Sequence, residues 1–184
     1  MVRIQVKVKH EEDEEDLQFL YHCLSTTGIE EIARDVIEIS NLQIKIQRLA
    51  LALESRLIQL GDGNGSHSIE AVPLMRASTE AKAYASKDQV LHGRLLSPHI
   101  LTDHIQTIEE QVMLNEAMGF SDLTQLHQLL SGSSTDSELL QEDTTQLLWA
   151  GKELMKNKRL CDYVGDNERT KIILRLQPSC MSSA

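Results

Sequence analysis

The stretch "TKIILRLQ", residues 170–177, decides the fold. With a period of two, Ile172, Leu174 and Leu176 face one way, and Lys171, Ile173, Arg175 and Gln177 face the other, as in a half-buried strand. With a helical period, Ile172, Ile173 and Leu176 share a face, and Asp166 or Asn167 supplies the cap. Periodicity leaves both readings open. The start of the chain is clearer. "RIQVKVKH", residues 3–10, alternates Ile4, Val6 and Val8 against Arg3, Gln5, Lys7 and Lys9. "LQFLYHCL", residues 17–24, puts Leu17, Phe19, Tyr21 and Cys23 on one face. Two strands this close predict a hairpin. Between them lies "EEDEED", Glu11 to Asp16, whose mutual repulsion keeps it out of a sheet and in an exposed turn or loop. As a strand, residues 170–177 can return to this N-terminal sheet.

"STTGIEEIARDVIEISNL", residues 25–42, reads as a helix. Ser25 to Thr27 offer a capping hydroxyl, Glu30 and Glu31 suit the positive end of the dipole, and Ile29, Ile32, Val36 and Ile39 form a stripe. A break is expected at Asn41. The helix resumes with Ile46, Leu49, Leu53 and Leu57, although Ile44 and Ile46, alternating with Lys45 and Gln47, also permit a short strand. Strand, strand, helix, strand opens a β-grasp, the ubiquitin-like arrangement. After the glycine-rich "GDGNGSHS", residues 61–68, the chain turns helical. In residues 97–119 Ser97 can cap, Pro98 fits the first turn, Leu101, Ile105, Ile108 and Val112 form a stripe, and Gly119 ends the helix. Residues 121–132 repeat that scheme in miniature. A longer helix is expected from Ser137 to Arg159, with Leu140, Leu147, Gly151 and Leu154 as its stripe, Trp149 as a core anchor, and Lys156, Lys158 and Arg159 at its negative end. Gly165 fits the turn that follows. The expected organisation is α+β. Residues 1–60 form a β-grasp-like region and 61–73 a linker, 74–177 are mostly helical, and 178–184 are a disordered tail.

Composition narrows the function. Apolar residues make up 41% of the chain but aromatics only 3%, so the core must be aliphatic, which favours helices with aliphatic faces. A net charge of -10 without a large basic cluster argues against nucleic-acid binding. No apolar run is long enough to span a membrane, and "MVRIQVKVKH" has neither an apolar core nor an Arg/Ser-rich leader. Three scattered cysteines, Cys23, Cys161 and Cys180, suit free thiols in a reducing compartment. A cytoplasmic protein is expected.

Catalytic and metal patterns are weak. Gly61, Gly63 and Gly65 give Gly-x-Gly-x-Gly, but the element before them reads as helix, whereas a dinucleotide fingerprint needs a strand. Asp62, Asn64 and Ser66 imitate the start of a calcium loop, yet His67 stands where glycine is required and Pro73 where the bidentate glutamate belongs. His99 and His104 are five apart, on different helix faces, and His92 and His127 stand alone as surface residues. There is neither Cys-x-x-Cys nor Gly-x-Ser-x-Gly. Cys23 lies on a buried strand face, and Cys161 follows a basic helix end, which does not activate a thiolate. No catalytic residue, cofactor or metal ligand is assigned. A small-ligand or calcium-binding module built on residues 61–68 stays as the alternative from another class.

"LLWAGKELMKNKRLCDYVGDNERTKIILRLQ", residues 147–177, resembles the Kurly family of cilia- and flagella-associated proteins. The matching pattern is Trp-Ala, Lys-Glu-Leu, Asp-Tyr-Val-Gly, Asn-Glu, Thr-Lys-Ile-Ile and Gln. Weaker matches lie in "EAKAYASKDQV", residues 80–90, in "IEEIARDVIEISNLQIKIQRL", residues 29–49, and in the first strand. The resemblance implies a non-enzymatic adaptor needed for axonemal dynein-arm assembly and cilium movement, found in the cytoplasm and at the cilium base. It implies protein partners, namely dynein-arm subunits or their assembly factors, and neither nucleic acid nor membrane. A structural protein of the axoneme is the alternative. Relatives continue past Gln177 with a Gly/Pro-rich linker and a charged helical tail, whereas this chain reads "PSCMSSA", so a shortened C-terminus is expected. The acidic hexad reads as an insertion in the first hairpin. The candidate partner-binding residues are Trp149, Lys152, Asp162, Tyr163, Asn167, Glu168 and Lys171.

Overall fold

A computed structural model describes residues 1–9, 17–60, 71–115, 119, 123–131 and 139–179. The acidic hexad and the glycine-rich loop lie outside the described residues. The order is β1 (Val2–Val8), β2 (Leu17–Cys23), α1 (Ile29–Leu60), α2 (Val72–Tyr84), a 3-10 turn (Lys87–Gln89), α3 (Pro98–Leu114), α4 (Leu123–Ser131), β3 (Thr145–Trp149), β4 (Lys152–Glu153), the one-turn α5 (Cys161–Val164) and β5 (Lys171–Pro178). Two compact units emerge. One comprises residues 1–41, 87–98 and 140–184, the other 42–86 and 99–139, and α1 contributes to both.

In the first unit the described strands form one sheet of order β2-β1-β5-β3-β4. β1 pairs antiparallel with β2 and parallel with β5, and β5 pairs antiparallel with β3. This is the β-grasp order, so the α+β class and the ubiquitin-like reading hold. Residues 170–177 resolve as a strand, and it is central. Hydrophobic alternation explains why. Val2, Ile4, Val6 and Val8 of β1 are fully buried, as are Leu174 and Leu176 of β5, while Ile173 stays 48% exposed. Parallel register sets Ile4 beside Ile172, Val6 beside Leu174 and Val8 beside Leu176, which makes one apolar face. Ile29, Ile32, Val36 and Ile39 of α1 are likewise buried, and Tyr21, from that face of β2, donates a 2.6 Å hydrogen bond to Asp35 of α1. Burial, then this carboxylate, pushes the Tyr21 phenol up from its usual range.

Three local expectations are corrected. First, α1 runs unbroken from Ile29 to Leu60, with neither a break at Asn41 nor a strand at residues 44–47. Asn41 serves as a tether instead: its amide donates to the Leu140 carbonyl and accepts from the Leu140 N–H, both at 2.9 Å. Second, the hydroxyls of residues 25–27 do not cap the helix by the expected route. The Ile29 N–H donates to the Lys158 carbonyl at 2.9 Å, and the Ser25 hydroxyl turns to Glu168. Third, there is no helix at residues 145–159. The seven-residue spacing of Leu147 and Leu154 imitates a helical stripe, but a hairpin folds the chain back between them. The Leu154 N–H then donates to the Leu147 carbonyl at 2.8 Å, and both side chains are buried.

That hairpin turns on Ala150 (φ 49°) and Gly151 (φ 80°), between the paired Trp149 and Lys152. Two central residues at positive φ are what a two-residue type I′ turn requires, and asparagine or glycine is the usual first residue. Alanine there is strained by about 1–2 kcal/mol. Ala150→Asn is expected to stabilise the chain by about 0.5–1 kcal/mol, since asparagine tolerates this conformation. Gly151→Ala is expected to cost about 1 kcal/mol through conformation alone, because an added Cβ there meets nothing within 4 Å. Urea unfolding midpoints of the two variants, shifted in opposite directions, check the turn type.

The second unit is helical. Ile44, Ile46, Leu49 and Leu53 of α1, Leu74, Ala77 and Ala81 of α2, Leu101, Ile105, Ile108 and Val112 of α3, and Leu126 of α4 are buried. The buried Gln43 amide donates to the Ala85 carbonyl at 2.9 Å, and the Tyr84 and His104 rings lie 5.2 Å apart. His127 bonds Glu109 at 2.9 Å and His99 lies 3.6 Å from Asp103. His99, His104 and His127 thus have protein neighbours of their own. Among the described residues no three His, Cys, Asp or Glu side chains group as a metal site would need, and no helix is long and apolar enough to cross a membrane.

Candidate interaction surface

Residues 147–177 are not one continuous patch. The structure places four of the seven candidate residues in a turn that fastens the sheet and three on its strands.

Four belong to the turn. Asp162 Oδ2 accepts the Arg159 N–H at 2.9 Å and so closes the start of α5. Tyr163 Oη accepts the Met155 N–H at 2.9 Å, with Lys158 Nζ 5.9 Å from its ring centre. Asn167 Oδ1 accepts the Arg169 N–H at 3.0 Å, a local turn of the kind asparagine favours. Glu168 reaches furthest. Its Oε1 accepts from the Ser25 backbone N–H at 2.8 Å and from the Ser25 hydroxyl at 2.6 Å. The Met1 amino group lies 3.3 Å from its Oε2. Around this latch the Leu160 N–H donates to the Thr27 carbonyl at 3.0 Å, and the Cys161 N–H to the Ser25 carbonyl at 2.7 Å. Residues 158–168 therefore clasp the turn between β2 and α1. Gly165, at φ 80°, provides the left-handed exit from α5.

The Ser25 hydroxyl, followed by its backbone N–H, holds the Glu168 carboxyl below the usual glutamate range. A depressed folded value contributes stability above the ordinary 4.5, which is lost as pH falls through the lowered folded value. Glu168→Gln is accordingly expected to unfold more easily than the parent at about pH 7, and the gap should be smaller at about pH 4, below the ordinary 4.5. Urea titrations at both values check this. Cys23, near the clasp, is buried and its thiol is pushed up to about 11 chiefly by that burial, which fits a packing role.

The other three candidates lie on the strands, where the register puts Trp149 and Lys152 on the face of the buried Leu174 and Lys171 on the opposite one. Trp149 is half-buried at the end of β3, Lys152 is exposed opposite it on β4, and Lys171 is exposed at the start of β5. Trp149 and Lys171 line a groove of about 520 Å³, together with Arg3, Gln5, Leu20 and Ile173. Sequence reading missed these last four as site residues. The signal was present in the alternation of residues 3–10, which sets Arg3 and Gln5 opposite the buried face.

The family model "Cilia- and flagella-associated protein 298" matches residues 145–183, the segment that forms the hairpin, the clasp and β5. Cilia- and flagella-associated protein 298 of Mus musculus is 27% identical over 219 aligned residues, covering 92% of this chain and 76% of the relative. Cilia- and flagella-associated protein 298-B of Xenopus laevis is 28% identical over 210, covering 96% and 75%. The Drosophila melanogaster protein of the same name is 21% identical over 225, covering 96% and 76%. No solved structure matches. These relatives are named for cilia and flagella and not for an enzymatic activity. In its C-terminal segment, and more weakly across nearly its whole length, the chain is similar to cilia- and flagella-associated protein 298.

Proposed function

We propose that the chain is a non-enzymatic adaptor of ciliated cells that serves axonemal dynein-arm assembly and hence cilium movement. The observation that carries the reading is similarity over 92% of the chain to a cilia- and flagella-associated protein, with the C-terminal segment matched by the family model as well. The rest of the molecule supports it. A β-grasp sheet with an open face and a clasped turn is a rigid platform for protein contacts. Trp149, Lys152 and Lys171 are the members of the candidate set free to meet a partner, while Asp162, Tyr163, Asn167 and Glu168 hold the platform together. The partners are dynein-arm subunits or their assembly factors, met in the cytoplasm and at the cilium base.

Disrupting the gene in multiciliated cells tests the reading. Loss of dynein arms from axoneme cross-sections, with weak or absent beating, is expected. Intact arms with normal beating would rule the assembly role out. Detergent extraction addresses the axonemal alternative: an assembly factor leaves with the soluble fraction, whereas a structural component stays with the microtubules.

A further inference from the structure

We propose that the outer face of the sheet docks an acidic segment of a partner protein, anchored by an apolar side chain in the groove beside Ile173. The face is built by register. β1 and β5 run parallel, with Arg3 beside Lys171 and Lys7 beside Arg175. These positions alternate with buried ones, so the four cations project from the face opposite the core. Like charges directly across a strand pair are destabilising. Among the described residues none of the four has an ion-pairing acid within 4.0 Å. Pairing across the sheet leaves Glu153, on the edge strand β4, as the acid among the described strand positions of this face.

Such clustering runs against composition. The chain has 28 acids and 18 bases, so an unpaired cationic face concentrates the minority charge. The face is also partly apolar. Ile173 sits between Lys171 and Arg175 and is 48% exposed, and the groove next to it holds about 520 Å³. A cationic rim around an apolar groove fits carboxylates flanking an aliphatic side chain. A nucleic acid fits less well, because a chain of net charge -10 repels an extended polyanion and the groove has no base-stacking pair of aromatics. The inference names the chemistry of a partner for the adaptor reading. It rests on the face alone, so either can fail without the other.

The test is a fluorescence-anisotropy titration of the full chain against a fluorescein-labelled peptide in which glutamates and aspartates flank a single leucine. Saturable binding with Kd of about 10–100 µM is expected, weakening several-fold as salt rises from about 50 to about 300 mM. The double reversal K171E/R175E should lower affinity about tenfold or more. The control R76E/R169E, with the same change of net charge at exposed sites off this face, should lower it less than about twofold. Replacing the peptide's leucine by glycine should cost about tenfold. K171E/R175E should melt no lower than the parent, since it replaces repulsive cross-strand pairs, and this separates lost docking from lost folding. The proposal is overturned by absence of saturable binding, or by equal losses in the two double variants. It is overturned equally if anionic vesicles or an oligonucleotide displace the peptide as well per charge as an acidic peptide does. Binding seen only after Glu11 to Asp16 are changed to their amides would also overturn it, by showing that the chain's own acids occupy the face.

Discussion

Leu174→Asp is expected to unfold the sheet, while Ile173→Asp, one residue away, leaves it folded. Leu174 is fully buried in β5, beside Val6 of β1 and opposite Trp149 of β3. An isolated carboxylate there loses its hydration without gaining a partner, a penalty of several kcal/mol even after relaxation. Losing the leucine adds about 2–5 kcal/mol. The sum rivals the whole stability of an ordinary domain, about 5–15 kcal/mol. Ile173 is 48% exposed on the other face, so its replacement moves stability by no more than about 1 kcal/mol. Far-ultraviolet dichroism and urea titration of the two variants check this. The helical reading of residues 170–177 puts Ile173 with Ile172 on the buried side, so similar losses in both variants would contradict the strand.

The second large effect is expected at Phe19. It is fully buried in β2, opposite Val6, on the face that α1 covers. Aromatic residues form only 3% of the chain, so the sheet core has few large side chains to share the volume, and aliphatic neighbours close poorly over a missing ring. Phe19→Ala should cost about 3–5 kcal/mol, and Phe19→Leu about a third of that. Equilibrium unfolding measures both. A cost under about 1 kcal/mol for the alanine variant would mean that α1 does not cover this face.

What could be read from the sequence follows the physics of each element. Strict alternation at residues 3–10 and 170–177 has one cause, burial of a single sheet face, and it needs no knowledge of the partner strand. The Ile29, Ile32, Val36 and Ile39 stripe is equally local. The hairpin at residues 145–153 was hidden because Leu147 and Leu154 meet across a turn at the spacing of two helical turns, and because Ala150 occupies a position where asparagine or glycine would have announced the turn. Asn41 looked like a helix breaker because its two partners, the N–H and carbonyl of Leu140, lie 99 residues away in sequence. Ser25 looked like a cap for the same reason, with Glu168 143 residues distant. The site was legible by half. Resemblance picked out residues 147–177, but not the split between the clasp residues and the strand residues, because that depends on which side chains find partners within the fold. Arg3 and Gln5 drew no notice as site residues because a strand's outward face is expected to be polar, and only pairing with β5 shows that its cations stand together.

The proposed role of this chain is that of an adaptor for dynein-arm assembly. Its most direct test is affinity capture of the tagged protein from ciliating cells, divided into cytoplasmic and axonemal fractions, with co-purifying proteins identified by mass spectrometry. Dynein-arm subunits and their assembly factors in the cytoplasmic fraction are the predicted result. Capture confined to the axonemal fraction, with tubulin and stable axonemal proteins and little soluble material, would contradict it.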